Sequence, residues 1–277
     1  MHHRLIASML AAALSLTYVS LSQAQDVPPP DQVIRRACDA AGGLEAFQRL
    51  GILHVNISGQ EISQEGTPSA QLKDIYFLTP GPVPGRFELP ASHVVAGDDG
   101  SAGWAVVDRK LDARRGTSYM VRRSLAKFLF STMLPFSLSW EGVTITKVTP
   151  AEVKKVPVWR VTIEVPRSFF DSPQVATTWT IDFDRHSFAL VGAESPFVDL
   201  GKGITADGMR FFWSQAVTVK GVRFFSEQRV IGLDEVGAEK SHTRTERISY
   251  QILPESEAAK LFANPVPPEQ RPAAKMP

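Results

Sequence analysis

The chain has 277 residues, 43% of them hydrophobic and 21% charged, with 30 Lys and Arg against 29 Asp and Glu. So even a balance provides no broad positive field, which argues against nucleic acid as a partner. The single cysteine, Cys38, allows no internal disulfide and no multi-cysteine zinc or redox motif, so stability has to come from the core.

Residues 1–24 have the form of a secretory signal peptide. His2, His3 and Arg4 open it, an apolar run follows from Leu5 to Val19, and Ser22-Gln23-Ala24 fits a small-residue cleavage site. The run is shorter than the roughly 20 residues a membrane-spanning helix needs. No Arg-Arg pair precedes it, and no cysteine marks a lipoprotein cleavage site. The expectation is a cleaved leader and a protein in the periplasm or secreted. The remainder is long enough for one large domain, expected over 25–264.

A helix is expected over 31–50, with Asp31 as N-cap, Val33, Ile34, Ala37, Cys38 and Ala41 on one face, and an interruption at Gly42-Gly43. Cys38 reads as a buried small apolar residue. From Ile52 the period changes to two, with Leu53, Val55 and Ile57 alternating with His54, Asn56 and Ser58. Similar runs occupy 75–78, 104–107, 143–148, 159–165 and 179–183, and longer ones occupy 209–219, 222–231 and 242–252. Turn-like separators such as Asp98-Asp99-Gly100-Ser101 and Lys220-Gly221 join them, which predicts a mainly β, antiparallel meander. Alternation leaves one sheet face wet and the other in need of a cover. Few helices are available for that: 31–50, the stretch described next, and a turn near 255–261. The Pro-rich segment 265–277 has no periodicity and is expected to be a disordered tail.

SLAKFLFSTMLPFSLSW, residues 124–140, holds one charge, Lys127. As a helix over 118–134, capped by Thr117 or Ser118 and stopped by Pro135, it places Leu125, Phe128, Leu129 and Met133 in one stripe and Ala126, Phe130 and Leu134 in another. An ordinary surface helix has one such stripe. Two call for apolar contact on two sides: a wedge within the core, a partner surface, or a lid whose second stripe faces an apolar ligand. Just before it lies a basic cluster, Arg109, Lys110, Arg114, Arg115, Arg122 and Arg123, with Asp112 its one acid. This is either a solvated face or, through Arg114, Arg115, Arg122 and Arg123, a contact for anionic head groups or a membrane.

Catalytic motifs are missing. His54, His93, His186 and His242 form no H-E-x-x-H pair, no G-x-S-x-G occurs, and Gly201-Lys202-Gly203 lacks the rest of a phosphate loop. Asp182-Phe183-Asp184-Arg185-His186 is the one cluster with metal-ligand residue types, and it reads equally as a strand end and hairpin turn. No cofactor or metal is expected. A hydrolase on a β scaffold, using Asp182, Asp184 and Glu164, is the enzymatic alternative.

Several segments resemble the LolA/LolB-like periplasmic carriers: Ala41-Gly42-Gly43-Leu44-Glu45-Ala46-Phe47 before the first strand, Gly100-Ser101-Ala102-Gly103-Trp104 after paired acids, Trp179 to Leu190 as strand-turn-strand, and the hairpin from Phe211 to Val230. The resemblance runs from about 31 to 262. It implies an unclosed antiparallel β-barrel, a half-barrel whose concave face is partly covered by helices and accommodates acyl chains or other apolar groups. Residues 118–134 then become part of the plug or lid. The implied function is to bind or carry a lipid or other hydrophobic small molecule. The expected contacts are Phe128, Leu129, Phe130, Met133, Leu134, Phe136 and Trp140, with Trp159, Trp179 and Trp213 from the strands. A membrane or an envelope protein is the implied partner, and a protein-interaction module using the same surface is the alternative.

Overall fold

The computed structural model describes residues 27–63, 66–112, 114, 116–166, 177–196, 198–199, 205–206 and 208–267. The expected leader, residues 1–24, lies outside them, as do residues 268–277 of the expected tail.

The elements in chain order are α1 (Pro30–Ala40), α2 (Leu44–Gln48), β1 (Ile52–Ile62), β2 (Pro68–Leu78), β3 (Gly85–Leu89), β4 (Val94–Asp98), β5 (Gly103–Val107), β6 (Lys110–Leu111) and α3 (Thr117–Phe130). Then follow β7 (Thr144–Val153), β8 (Val156–Val165), β9 (Thr177–Asp184), β10 (Leu190–Ser195), β11 (Val198–Asp199), β12 (Thr205–Ala206), β13 (Gly208–Val219), β14 (Val222–Leu233), β15 (Glu239–Leu253) and α4 (Ala258–Leu261). Thirteen strands form one sheet in the order β6-β5-β4-β3-β2-β1-β15-β14-β13-β10-β9-β8-β7, and β11 pairs with β12 apart from it. All pairings are antiparallel, and the two edge strands do not meet, so the sheet is an open half-barrel.

The route of the chain through this sheet determines where its helices lie. It enters at the centre with β1, walks outward to the edge at β6, and resumes at the opposite edge with β7 before returning to β15 beside β1. Residues 112–143 therefore carry the chain from one edge to the other. That connection holds α3, which rests on β3, β4 and β5, and a short 3-10 turn, Phe136–Ser139. Its apolar side chains bury against the inward positions of the strands, among them Val55, Ile57, Ile75, Phe77, Val161, Ile163 and Ile181. Outward positions are polar: His54 Nε2 and Asn56 Nδ2 reach Asp74 Oδ1 at 3.0 and 2.8 Å.

The second cover is the α1–α2 corner. Phe47 stacks on Phe136 with centroids 4.4 Å apart, and Arg223 N donates to Ala41 O at 2.8 Å. Gly42 is required here twice over. Its φ is 106°, and a Cβ would stand 2.2 Å from Gly221 O of the β13–β14 hairpin.

Some expectations shift. The helix of the crossing stops at Phe130 rather than 134, because Pro135 disfavours helical backbone at Leu134 and has no N–H to donate. Hydroxyls take the freed carbonyls: Thr132 Oγ1 donates to Phe128 O at 3.1 Å and Ser137 Oγ to Phe130 O at 2.8 Å. Its N-cap is Gly116, so neither Thr117 nor Ser118 caps it. In the first helix the N-cap is Pro29, with Pro30 and Asp31 in the first turn. The strands β3 and β4 were not anticipated, being five residues each amid Pro82, Pro84 and Pro90. At the other end, Val266 is buried and Asn264 Nδ2 donates to Ala102 O at 3.3 Å, so the start of the Pro-rich segment packs on the fold.

Cys38 is buried on α1. Burial, aided by the Asp39 carboxylate, pushes its thiol from 9.0 up to about 12. A raised folded-state value leaves stability unaffected below the unfolded pKa and removes it as pH climbs from 9.0 towards about 12. The unfolding free energy from urea titrations across this range should fall, by up to about 1.4 kcal/mol per pH unit from this thiol. Cys38→Ala should flatten that slope; an unchanged slope would assign the loss to other groups.

Candidate functional site

The crossing segment supplies the floor of the site. Leu125, Leu129, Phe130, Met133 and Phe136 are fully buried, Leu134 and Trp140 nearly so, and Phe128 is half-buried. Phe130 meets Trp179 edge-on at 5.3 Å and Trp140 at 6.1 Å. The series continues across the strands, Trp179 onto Phe211 at 5.1 Å and Phe211 onto Trp213 at 6.0 Å. Phe130, Trp140, Trp179 and Trp213 are thus brought into one aromatic row. Trp159 belongs to the same core but sits apart from that row, with the Arg185 guanidinium 5.0 Å from its ring. These side chains pack on one another, and the accessible apolar space lies beside α3.

Two clefts flank the helix. The larger, about 770 Å³, opens between α3, α2 and the β2–β3 loop, and is walled by Leu44, Pro82, Val83, Tyr119, Ala126 and Trp140. Trp140 also donates its Nε1 proton to Pro80 O at 2.7 Å, fixing that loop to the crossing. The smaller, about 350 Å³, lies between the first turns of α3 and strands β3–β5, over Phe87, Ala96, Ala105 and Val107, with Met120 and Val121 above. Both volumes fall within the range of about 300–1,000 Å³ usual for small-molecule sites.

The basic cluster is tied to the sheet. Arg122 lines the larger cleft and binds Asp98 through Nε at 2.5 Å and Nη2 at 3.3 Å; Asp98 is fully buried and also accepts Gly100 N at 2.8 Å. Arg114, at the rim of the smaller cleft, grips Asp112 through Nε at 2.8 Å and Nη2 at 2.7 Å and holds that carboxyl down at about 2. Arg123 lies 5.8 Å from the Tyr119 ring, and Arg115 is outside the described residues. Of the four expected head-group contacts, Arg122 and Arg114 stand at cleft openings.

Sequence reading missed a polar group on the concave face. Glu246 is buried and takes Lys73 Nζ at 3.2 Å and Arg244 Nε at 3.0 Å on Oε1. With its amide oriented to satisfy both neighbours, Gln228 donates to Glu246 Oε2 at 3.1 Å and accepts from Trp213 Nε1 at 3.2 Å. Beside them His242 Nε2 meets Glu61 Oε1 at 2.6 Å, and Gln71 donates to Glu61. Burial pulls the Lys73 ammonium below its ordinary pKa, and the Glu246 carboxylate opposes that. The available signal was parity, since Lys73 and Glu246 stand two residues from the inward Ile75 and Ile248.

The acids of the enzymatic alternative do not converge. Asp182 forms a two-point pair with Arg160 at 2.8 and 2.9 Å, Asp184 accepts His186 N at 3.0 Å and Ser187 N at 2.7 Å within the hairpin turn, and Glu164 is exposed. Among the described residues no three His, Cys, Asp or Glu side chains gather as a metal cluster, and no helix is long and apolar enough to cross a membrane.

Arg122→Met should cost about 3–5 kcal/mol in urea denaturation, because it leaves the Asp98 charge buried and unpaired. Adding Asp98→Asn should restore much of that loss. Equal stability of Arg122→Met and the wild type would show that water replaces the guanidinium.

No protein-family model matches the sequence, and no curated protein matches it significantly. By structure the chain is similar to a LolA superfamily protein from Nitrosomonas europaea, with a TM-score of 0.54 and 11% identity, covering 83% of this chain and 97% of that one. It is similar also to a DUF1329 family protein from Desulfovibrio piger, with a TM-score of 0.50 and 9% identity, covering 84% of this chain and 99% of that one. At such identities the likeness is one of fold: this protein has a LolA-like half-barrel.

Proposed function

We propose that this protein binds or carries a lipid or similar hydrophobic ligand in the cell envelope and is not an enzyme. One observation carries the reading: the chain lays α3 across an open half-barrel with an apolar cleft on each side of it. A helix serving only as core would be packed on both flanks. The ligand lies along α3, its apolar part replacing water over Ala126 and Val83 on one side or Ala105 and Val121 on the other. Residues 1–24 act as the export leader, and 25–264 form the single working domain. Exposed Met120 and Leu111, 48% and 44% accessible near the smaller cleft, favour a second reading in which a protein partner sits on the same surface.

The test is to purify the mature protein from the periplasm without detergent and extract it with organic solvent. Mass spectrometry is then run beside a refolded, delipidated control. A stoichiometric lipid in the native sample is expected. Ala126→Phe fills the larger cleft and Ala105→Phe the smaller, and the variant that blocks the occupied cleft should lower affinity by about tenfold or more. Empty extracts together with no uptake of fluorescent fatty acid by either preparation would overturn the reading. Stable co-purification of a protein would then support the second one.

A further inference from the structure

The polar group on the concave face is out of place in a hollow that would need only apolar walls. Register puts its members on one inward surface: Gly59 faces both Gln71 and Glu246, Gln228 faces Glu246 and Trp213, Glu61 faces Arg244, and Ile57 faces Lys73 and Ile248. The side chains of Lys73 and Glu246 are only 14% and 4% exposed. Replacing such a buried ionic group by well-packed apolar residues is often neutral or stabilising, so its presence is not explained by stability.

Its geometry favours an anion. Two cationic nitrogens, Lys73 Nζ and Arg244 Nε, approach a single oxygen, Glu246 Oε1, at 3.2 and 3.0 Å. Yet Arg244 Nε, although buried and in ion-pair range, makes no hydrogen bond, because its N–H is not directed at that oxygen. A buried donor thus lacks an aligned acceptor where two positive charges converge. Glu246 is meanwhile held from its other side by Gln228. The ring of Phe128 on α3 connects this group to the apolar space. Its centroid is 5.3 Å from Lys73 Nζ and 5.3 Å from the ring of Phe87, which lines the smaller cleft.

Resting on the carrier reading and deepening it, we infer that the ligand is an anionic amphiphile. Its carboxylate or phosphate head group binds Lys73 and Arg244, its tail lies towards the smaller cleft, and Glu246 is the internal counter-ion with which it competes. The aligned acceptor that Arg244 Nε lacks is then an oxygen of the ligand. Glu61, opposite Arg244 in the register, is a second carboxylate at this group and is paired with His242.

The experiment compares binding of oleate and of oleyl alcohol, equal in chain and different in charge, to the delipidated protein, with melting temperature recorded for every variant. Wild type should bind oleate about tenfold more tightly than the alcohol, as a charge-assisted contact implies. Lys73→Gln should abolish that preference by bringing oleate's affinity down to that of the alcohol. Glu246→Gln, nearly isosteric and so the variant that guards against a folding defect, should strengthen oleate binding by about threefold or more as the competing carboxylate is lost. A purely structural role predicts no such gain. Dioleoyl phosphatidate alongside oleate decides between phosphate and carboxylate. Equal affinity for oleate and the alcohol in wild type, or weakening of both by Lys73→Gln, would overturn the head-group assignment and leave the carrier reading standing. No binding of oleate, the alcohol or dioleoyl phosphatidate would overturn both.

Discussion

The crossing from β6 to β7 is the constraint on which the rest of the structure depends. A thirteen-stranded antiparallel sheet could be threaded outward from its centre only once; here the chain reaches one edge and then starts again at the other. The residues between must traverse the concave face, and whatever they are made of becomes its lining. They are SLAKFLFSTMLPFSLSW and its flanks, which accounts for so greasy a segment in a charge-balanced chain. Its two apolar stripes have distinct duties. Leu125 and Leu129 seat the helix on the sheet, while Phe130, Met133 and Phe136 continue the core towards the α1–α2 corner through the Phe47–Phe136 stack.

Electrostatics then fix where the helix sits along that face. Asp98, at the end of β4, is fully buried and reached by Arg122 from the second turn of α3, and Gly103 N donates to Ser118 Oγ at 2.7 Å one strand over. Gly103 has no side chain because a Cβ would stand 2.8 Å from Ser118 O. Apolar contact alone is non-directional and would tolerate sliding. A buried carboxylate with a two-point guanidinium does not, since moving it away leaves a charge without water or partner.

The fold was largely legible in the sequence because it is written in parity. β1 and β8 alternate most clearly, β13 and β14 keep the pattern only in part, since the register skips Gln215 and shifts between Ile231 and Leu233, and Lys220-Gly221 turns the β13–β14 hairpin. β3 and β4 escaped notice because five residues give at most three inward positions, and the neighbouring prolines read as loop. The role of the basic cluster could not be read either. Arg122 and Asp98 are 24 residues apart, and their pairing exists only once β4 and α3 are packed together. Likewise Lys73 and Glu246 meet across 173 residues through β1, whose small Gly59 leaves no room for a Cβ beside Glu246. Long-range polar pairs have no periodicity, so pattern reading finds the walls of the half-barrel and misses what is charged inside it.

Under the proposed carrier function, the filled core and the open clefts together constrain how a ligand would be exchanged. Each of Leu125, Leu129 and Phe130 buries a side chain worth about 1.5–3 kcal/mol relative to water. Lifting α3 into solvent would forfeit several such terms at once, together with the Arg122–Asp98 pair. The helix is therefore not a hinged cover that stands open by itself. An apolar ligand entering from a flank substitutes its own surface for that of the helix, so contact is exchanged rather than lost, and the rise in free energy stays small. On this view Ala126 and Ala105 matter for being small: each keeps a cleft beside α3 unfilled, where a chain could settle without displacing the side chains that seat the helix.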